Sequence, residues 1–492
     1  MTTKLSLTSL PNLPADVARP SYDRGALKAG ILHFGVGNFH RSHQAVYLDE
    51  LFNAGRDHDW AIVGAGVFAA EEAGRRKLAE QDWLTTVVEQ DSGHMSARVT
   101  GAMVDFLKPG DAEAIIARLA DPAIRIVSLT ITEGGYFIDP ASGIFNPAHP
   151  EMKADAENIA APKTVFGLIL AGLLRRRDEG MAPFTVMSCD NIPHNGRVTA
   201  DAVVGLARLV DDKLADWVTQ NVAFPNSMVD RITPATTDRE RAILAEQFGV
   251  EDSWPVFCEP FRQWVLEERF PQGRPALERV GAQFVADVAP FELMKIRILN
   301  GGHAAIAYPA GLMDVHFVHE AMQDPLVAAF LARLEREEIM PTVPPVPGVV
   351  LEDYCQLIER RFANPKIGDT VRRLCLDGSN RQPKFIIPTI ADRLEAGAGI
   401  KGLALESALW CRYCFGITDS GAVIEPNDPN WDRLQQTAMT ARDDPKAWLA
   451  MEDIYGEVGR SQVFAEAFGH SLAVLWQVGT RETLVRYLDG VL

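Results

Sequence analysis

Apolar residues in the first part of the chain occur in short continuous runs, a pattern typical of strands that are buried on both faces. Four such runs span residues 30–37, 60–67, 124–131 and 184–189, and a helix is predicted after the first of them, over 41–53. Buried runs that alternate with helical stretches indicate βαβ units. The pattern therefore predicts a parallel sheet.

Two other pairs of strand signals lie in the same part of the chain. Residues 85–88 and 97–100, with a turn at 91–93 between them, predict an antiparallel hairpin attached to the parallel sheet. Residues 263–266 and 282–288 are two further extended runs. No strand signal follows them.

From about residue 290 onward, apolar residues recur with helical spacing. Amphipathic helices are predicted over 291–308, 325–338, 353–362, 404–414 and 461–477. This change places a domain boundary near residue 288. The predicted fold class is α/β plus all-α, with domains at 1–288 and 289–492.

Composition and charge exclude several classes of partner. The 492 residues are 47% apolar and 23% charged, with a net charge of 48 − 66 = −18. Nucleic acids and anionic membranes require a basic surface, so neither is expected as a partner, and no obligate protein partner is evident. The most apolar run, 165–174, is about half a membrane span and predicts a buried helix.

Cysteine usage points to a reducing compartment. The six cysteines are sparse and irregularly spaced, and the first twenty residues lack the apolar core of a secretory signal, so a cytoplasmic location is expected. The CxxC at 411–414 has no second ligand pair at a suitable distance. A metal site is therefore not predicted.

A glycine-rich turn follows the first apolar run. In dinucleotide-binding turns the first glycine permits the tight bend, the second lets the pyrophosphate approach the backbone, and the next helix presents free N–H groups. A histidine stands where the third glycine of the usual pattern would be, so the turn fits either a dinucleotide or a bend that needs glycine for packing. The residues assigned to the cofactor are Gly35, Gly37, Asn38, Phe39 and His40.

Carboxylates that follow the second and third apolar runs bear on the choice between NAD and NADP and on which residues lie near the cofactor. An acidic residue past the second strand can bond the ribose 2′-hydroxyl of NAD, and Glu71 is the candidate. Arg75 and Arg76 could instead accommodate a 2′-phosphate, so NAD is favoured and NADP stays open. Glu133, which follows the third run, is expected near the cofactor.

The predicted helix 291–308 carries three polar residues among apolar ones. Taking Lys295 as zero and about 100° per residue, Asn300 lies at about 140° and His303 at about 80°, so the three share one side. A buried lysine can act as a general base, an amide can stabilise an oxyanion, and a neutral imidazole can position a hydroxyl. An exposed lysine and asparagine next to a histidine in the core would give the same spacing, so the spacing alone leaves the function of these residues open.

Five segments of the chain resemble the polyol-specific long-chain dehydrogenases. They occur in order at 35–44 (GVGNFHRSHQ), 130–136 (TITEGGY), 188–196 (SCDNIPHNG), 228–232 (MVDRI) and 295–303, the last with the spacing Lys-x4-Asn-x2-His. The resemblance implies a Rossmann-type N-terminal domain that binds NAD and a helical C-terminal domain that binds substrate and carries the catalytic groups. It also implies a zinc-independent oxidoreductase that interconverts a sugar alcohol and its ketose, of the D-mannitol to D-fructose type.

The same resemblance assigns roles to single residues. The assignments are Lys295 as the general base, Asn191 and Asn300 as the oxyanion pair, His303, Asp230, Arg373 and Arg381 as substrate contacts, and Glu292 as part of a route for the released proton. Such members often carry lysine where this chain has Arg381. That difference leaves the contacts at the far end of the substrate open.

Three alternatives to this function stay open. Residues 258–266 and 281–288 are also similar to the hexuronate (fructuronate) reductases of the family, and D-arabinitol is a further candidate substrate. From a different class, the chain could be a non-catalytic NAD-binding regulator. Such a protein would not need Lys295, Asn300 and His303 together.

Overall fold

The computed structural model describes residues 2–139 and 143–492 of the chain. It divides into two compact units, Met1–Ala289 and Pro290–Leu492. The first unit combines sheets with helices, and the second is built from helices. The predicted fold class, α/β followed by a helical part, is confirmed.

A five-stranded parallel sheet forms the centre of the first unit. Its strands are β1 (Ala29–Phe34), β2 (Ala61–Ala65), β3 (Met103–Phe106), β4 (Ile126–Leu129) and β5 (Thr185–Ser188), in the spatial order β3-β2-β1-β4-β5. Strands β2 and β3 are added on one side of β1, and the chain then returns to add β4 and β5 on its other side. Such a reversal of strand order opens a crevice at the carboxyl ends of the two central strands, where ligands bind.

The predicted hairpin exists but is not part of the parallel sheet. Strands Thr85–Gln90 and Met95–Thr100 pair antiparallel within a separate four-stranded sheet that also contains Val17–Ala18 and Val256–Cys258. The expectation that the hairpin is attached to the parallel sheet was wrong, because its open edges pair with short strands far away in sequence. The remaining strands are Thr3–Lys4, Ser227–Asp230, Val250–Glu251, Gln263–Glu267 and Gln283–Val285.

Helices pack on both faces of the parallel sheet and complete its two apolar cores. They are Asn38–Ser42, Gln44–Asn53, Glu71–Ala79, Ala112–Ala120, Pro150–Glu157, Val165–Asp178, Asn195–Val210 and Asp212–Asn221. Helix Asp238–Phe248 packs in a separate core with residues of the four-stranded sheet. The helix predicted over 41–53 begins three residues earlier and is interrupted at His43, whose φ of −116° and ψ of −88° are not helical. None of the described helices is both long enough and apolar enough to cross a membrane.

The second unit is a helical assembly. Its α-helices after the boundary are Gly301–Leu312, Val318–Gln323, Pro325–Leu334, Leu351–Phe362, Val371–Leu374, Gly378–Phe385, Ile387–Glu395, Lys401–Cys414, Trp431–Ala441, Lys446–Leu449, Glu452–Tyr455 and Gln462–Leu488. The helix Lys401–Cys414 is not amphipathic as predicted, because every residue from 402 to 414 is buried. Helix Gln462–Leu488 extends past the predicted end and bends at Gly479, whose φ is 78°.

The helix that carries Lys295 is not a regular α-helix. It runs as Ala289–Met294 in α form, Lys295–Asn300 in π form and Gly301–Leu312 in α form, and we call the whole of it the Lys295 helix. In a π turn the hydrogen bonds close over five residues instead of four. The angles assigned at about 100° per residue were therefore wrong between Lys295 and Asn300.

All six cysteines are buried free thiols. Cys189 and Cys258 belong to the first unit, and Cys355, Cys375, Cys411 and Cys414 belong to the second. Burial raises the pKa of each thiol above its ordinary value. Within residues 2–139 and 143–492, no group of three or more His, Cys, Asp or Glu side chains is arranged to hold a metal ion.

Candidate active site

The glycine turn after β1 has the geometry that its sequence predicts for close approach of a ligand. Gly35 has a φ of 92°, and a Cβ built on it would lie 2.0 Å from the carbonyl oxygen of Thr130, so only glycine fits. A Cβ on Gly37 would meet nothing nearer than the Gly35 oxygen at 3.8 Å. The backbone at Gly37 therefore faces open space at the start of helix Asn38–Ser42.

Two stacked histidines, His33 and His40, lie next to this turn, and His33 contacts it directly. The ring of His33, on β1, contacts Ser128 Oγ at 2.8 Å, Thr130 Oγ1 at 3.0 Å and the Gly35 oxygen at 3.2 Å. His40 stacks on His33 with 3.5 Å between ring centroids. Burial lowers the pKa of His33 to about 3 and that of His40 well below its usual range, so both rings are neutral.

The side chains of Asn38 and Phe39 are held by neighbours in the same unit. Asn38 Nδ2 donates to the Pro234 oxygen at 3.1 Å, and its Oδ1 accepts from Arg41 at 2.8 Å. Phe39 stacks on His43 with 4.8 Å between ring centroids. These contacts fix the first turn of the helix that begins after Gly37.

Glu71 lies at the carboxyl end of β2, as a ribose-binding acid would. Its Oε2 accepts from the backbone N–H groups of Val67 and Phe68 at 2.9 and 2.8 Å. Arg75, the candidate for a 2′-phosphate, is already engaged: its Nε donates to the Phe106 oxygen at 2.7 Å, and it pairs with Glu72 at 3.3 Å. The engagement of Arg75 favours a free ribose hydroxyl over a phosphate, whereas Arg76, the other candidate, is exposed.

Asp190 ties together the loops that follow β4 and β5. Its carboxylate accepts from the backbone N–H groups of Ile131 and Thr132 at 3.0 and 2.8 Å and from the Tyr136 hydroxyl at 2.6 Å. Glu133 is exposed in the first of these loops, and Asn191 is exposed in the second. The turns that carry Gly35, Glu71, Glu133 and Asn191 thus all follow the carboxyl ends of parallel strands.

Asp230 is also in the first unit but on a different sheet. It ends the strand Ser227–Asp230 and is 5% exposed. Its charge acts on His43, whose ring contacts the Gln263 oxygen at 2.9 Å. The adjacent Arg231, whose side chain is fully buried, pairs with the partly buried Glu89 at 2.6 Å, which fixes the backbone next to Asp230.

The predicted catalytic side chains of the second unit lie on the Lys295 helix. Glu292 and Lys295 are 7% and 8% exposed, and Asn300 and His303 are partly buried. Lys295 and Asn300 are the first and last residues of the π segment. Because π turns occur frequently at functional sites, the irregularity marks the same residues that the resemblance selected.

His303 lies among arginines. Its ring stacks on Phe362 with 4.2 Å between centroids, and burial lowers the pKa of His303 well below its usual range. The positive charges of Arg361, Arg373 and Arg381 lower it further. His303 is therefore neutral, and it can either donate or accept a hydrogen bond.

One of the two predicted substrate arginines, Arg381, contacts the helix that carries the other. Arg373 is exposed and pairs with Asp369 through Nε and a terminal nitrogen. Arg381 donates to the carbonyl oxygen of Leu374, the last residue of the helix that carries Arg373, at 2.9 Å. The structure thus brings Arg373 and Arg381 together with His303 in the second unit.

Several residues that contact the predicted side chains or their loops, within one unit or the other, gave no signal in the sequence analysis. His33, Asp190, Arg361 and Phe362 were not selected because each depends on contacts between segments distant in sequence. Asp190 stands inside the motif SCDNIPHNG, so its position next to Asn191 was the one available clue.

Two family descriptions cover most of the chain. The Rossmann domain of mannitol dehydrogenase matches residues 29–279, and the C-terminal domain of mannitol dehydrogenase matches residues 287–476. The mannitol 2-dehydrogenase of Cereibacter sphaeroides is 60% identical over 473 residues, which are 96% of this chain and 99% of that protein. That of Neosartorya fischeri is 41% identical over 478 residues, 96% of this chain and 95% of that protein.

Solved structures agree with these similarities. The Pseudomonas fluorescens mannitol 2-dehydrogenase in ternary complex with NAD and D-mannitol superposes with a TM-score of 0.88 at 42% identity, and covers 99% of this chain and 100% of its own. A D-sorbitol dehydrogenase in substrate-free form gives a TM-score of 0.90 at 35% identity, with coverage of 98% and 100%.

Proposed function

The chain belongs to the mannitol dehydrogenase family, and from this premise we propose that it is an NAD-dependent oxidoreductase that interconverts a sugar alcohol and its ketose. D-mannitol and D-fructose are the proposed pair, because a relative with 60% identity is a mannitol 2-dehydrogenase. The observation that carries the proposal in this chain is the set Lys295, Asn300 and His303 on one irregular, largely buried helix.

The first unit fits a dinucleotide. The open backbone at Gly37 and the start of helix Asn38–Ser42 suit a pyrophosphate, and Glu71 suits a ribose hydroxyl. We therefore assign residues 1–288 to cofactor binding, with Gly35, Gly37 and Glu71 as the principal contacts. NAD, when bound, supplies the hydride acceptor for alcohol oxidation.

The second unit supplies the acid–base chemistry. As hydride leaves the carbinol carbon, the hydroxyl proton passes to the amine of Lys295, and the partial negative charge on oxygen is stabilised by the amides of Asn300 and Asn191. In the reverse direction Lys295 returns a proton to the carbonyl oxygen. We assign residues 289–492 to substrate binding and catalysis.

The remaining predicted residues position the substrate and release the proton. Neutral His303 can bond a substrate hydroxyl without adding charge, while Arg373 and Asp230 hold other hydroxyls. Glu292, which is one turn before Lys295 and 7% exposed, is the residue that we propose accepts the proton from the lysine and passes it on. The proposal includes a cytoplasmic location and a mechanism without zinc.

A hexuronate is the second candidate substrate, and the arginines favour it. Arg361, Arg373 and Arg381 all act on His303, and a uronate carboxylate would pair with such a group of cations. Asp369 already neutralises Arg373 in part, which favours the uncharged polyol.

Initial rates decide between these candidates. The panel is D-mannitol, D-sorbitol, D-arabinitol, D-fructose and D-fructuronate, each with NAD(H) and NADP(H). We expect the highest kcat/KM for D-mannitol and D-fructose with NAD(H). A preference for fructuronate would shift the assignment to the reductase branch, and no turnover of any compound would leave only the non-catalytic, NAD-binding alternative.

A further inference from the structure

The helix Gly378–Phe385, called here the Arg381 helix, has little stability of its own. It has eight residues, and Pro383 lies inside it. A proline within a helix removes the hydrogen bond to the carbonyl four residues earlier, and helices this short are unstable in isolation. Its position must therefore depend on side chains that anchor it to other elements of the second unit.

Two anchors hold the Arg381 helix. At its start, the backbone N–H and the hydroxyl of Ser379 both donate to Asp428 at 2.8 Å. In its middle, Gln382 Nε2 donates to Glu406 Oε1 at 2.6 Å. Glu406 lies on the helix Lys401–Cys414 and is fully buried, and within the part of the chain that the structure describes its Oε2 has no hydrogen-bond partner.

The second anchor adjoins the substrate arginines. Gln382 is the neighbour of Arg381, and Arg381 donates to the Leu374 oxygen at the end of the helix that carries Arg373. A displacement of Gln382 therefore moves Arg381 directly and Arg373 through this contact. Both guanidinium groups act on His303, so the displacement also changes the electrostatic surroundings of that residue on the Lys295 helix.

The surroundings of Glu406 favour its neutral form. Burial raises the pKa of Glu406 to about 8, while the bond from Gln382 opposes this rise. Two phenols face the same carboxyl, Tyr308 from the Lys295 helix and Tyr455 from the helix Glu452–Tyr455, and burial raises the pKa of each well above its usual range. Loss of the Glu406 proton thus places a charge among neutral groups. The charge by itself would strengthen the bond from Gln382, but burial outweighs that bond in its effect on the pKa. A buried charge is relieved by admitting water, which then competes for the Gln382 amide, or by moving its neighbours.

We propose that Glu406 is a positioning residue: through Gln382 it holds the Arg381 helix in place, and it loosens that helix at alkaline pH, so that substrate affinity falls. The inference rests on the proposed function only in that Arg373 and Arg381 contact the substrate. The anchoring itself is a property of the second unit alone.

The variant Glu406→Gln tests the titration without reference to any substrate. Because the folded-state pKa lies above the ordinary value of 4.5, the contribution of Glu406 to stability is complete below about pH 4.5 and is lost as pH rises through about 8. Glutamine keeps the acceptor for Gln382 and does not titrate. We expect the difference in Tm, variant minus unsubstituted protein, to be about 5 °C larger at pH 9 than at pH 5.

The matched control is Glu395→Gln, at the exposed end of helix Ile387–Glu395. Its Tm is expected to follow the unsubstituted protein at every pH. If the difference in Tm between Glu406→Gln and the unsubstituted protein were also constant from pH 5 to pH 9, Glu406 would not titrate in this range and the inference would be wrong.

The pH profile of KM tests the positioning role. For D-mannitol we expect KM of the unsubstituted protein to rise about tenfold from pH 7 to pH 9, and KM of Glu406→Gln to stay flat, with the same pH profile of kcat in both. Gln382→Met, which removes the bond to Glu406, should raise KM at every pH.

An equal rise of KM in the unsubstituted protein and in Glu406→Gln would overturn the positioning role, even with the expected Tm result. Absence of turnover with every polyol would instead contradict the proposed function. In that case the Tm measurement alone decides whether Glu406 titrates.

Discussion

Lys295 is an amine that folding removes almost completely from water. It is 8% exposed and opens the π segment of its helix. An alkoxide is too costly at neutral pH without a group to take its proton, and a buried amine is suited to that role. The chemistry proposed for the second unit therefore depends on this one side chain more than on any other.

Replacement of Lys295 by alanine is expected to lower kcat for polyol oxidation about 10²- to 10⁴-fold, the usual range for a positioned acid–base group. The Kd for NADH, measured by fluorescence titration, should change little, and an added primary amine should restore part of the rate. Lys446→Ala, an exposed lysine of the same unit, is the control. A variant with normal kcat and an unchanged pH profile would move the search for the base to His303 or Glu133.

Glu71 is the residue on which the choice of cofactor depends. Glu71→Gln keeps an oxygen for the N–H groups of Val67 and Phe68 but removes the charge. Since hydrogen bonds to charged groups contribute about 1.5–3 kcal/mol, kcat/KM for NAD should fall about 10- to 100-fold while that for NADP rises. Glu80→Gln, an exposed glutamate at the other end of the helix Glu71–Ala79, is the control and should leave the preference for NAD in place.

If Glu71→Gln had the same ratio of kcat/KM for NAD and NADP as the unsubstituted protein, the acidic residue would not select the cofactor. The comparison is made with initial rates at saturating polyol. It separates a role in recognition from the structural role of the carboxylate in the turn after β2.

Single residues differ in how far the sequence predicts them. Gly35 and Gly37 were selected because a strand, a bend and a helix leave a local pattern. His33 was not, because its role comes from Ser128 and Thr130, about a hundred positions further along the chain. Site residues that act through such distant contacts carry no local signature.

At the scale of elements, periodicity predicted the presence of most helices but not their irregularities. The Lys295 helix was predicted as continuous and is continuous, yet its π segment changes which side chains share a face. A π turn is stabilised by neighbours in the fold rather than by its own sequence, so no window of residues reveals it. The interruption at His43 has the same origin.

Substitution of two adjacent glycines of the Lys295 helix, Gly301 and Gly302, tests how closely this helix packs against its neighbours. A Cβ on Gly302 would lie 2.7 Å from Glu335 Oε1 and 3.3 Å from the Phe362 ring that stacks on His303. Gly302→Ala should therefore reduce the free energy of unfolding by about 1–3 kcal/mol and lower activity. Denaturant unfolding and initial rates measure the two effects.

Gly301→Ala is the matched control. A Cβ at Gly301 would meet nothing closer than the Phe385 oxygen at 3.6 Å, so alanine should be tolerated or stabilise the helix by up to about 1 kcal/mol. Equal stability of the two variants would mean that Glu335 and Phe362 yield to the added methyl group.

At the scale of the whole molecule, the proposed chemistry needs no metal. Residues 2–139 and 143–492 contain no group of three or more suitable ligands, and the proposed base is a lysine. Activity should survive prolonged dialysis against EDTA, as measured by initial rates before and after treatment. A loss of activity that added zinc restored would contradict the lysine mechanism.

Because all six thiols are buried, their reaction with a thiol reagent would show when the protein unfolds. Native protein should be silent to a thiol reagent such as DTNB, whereas unfolded chains should react at six sites. Two of these sites are in the first unit and four in the second, so brief alkylation during denaturation, followed by peptide mapping, would reveal which unit opens first. Simultaneous labelling of all six would show that the two units unfold as one cooperative body.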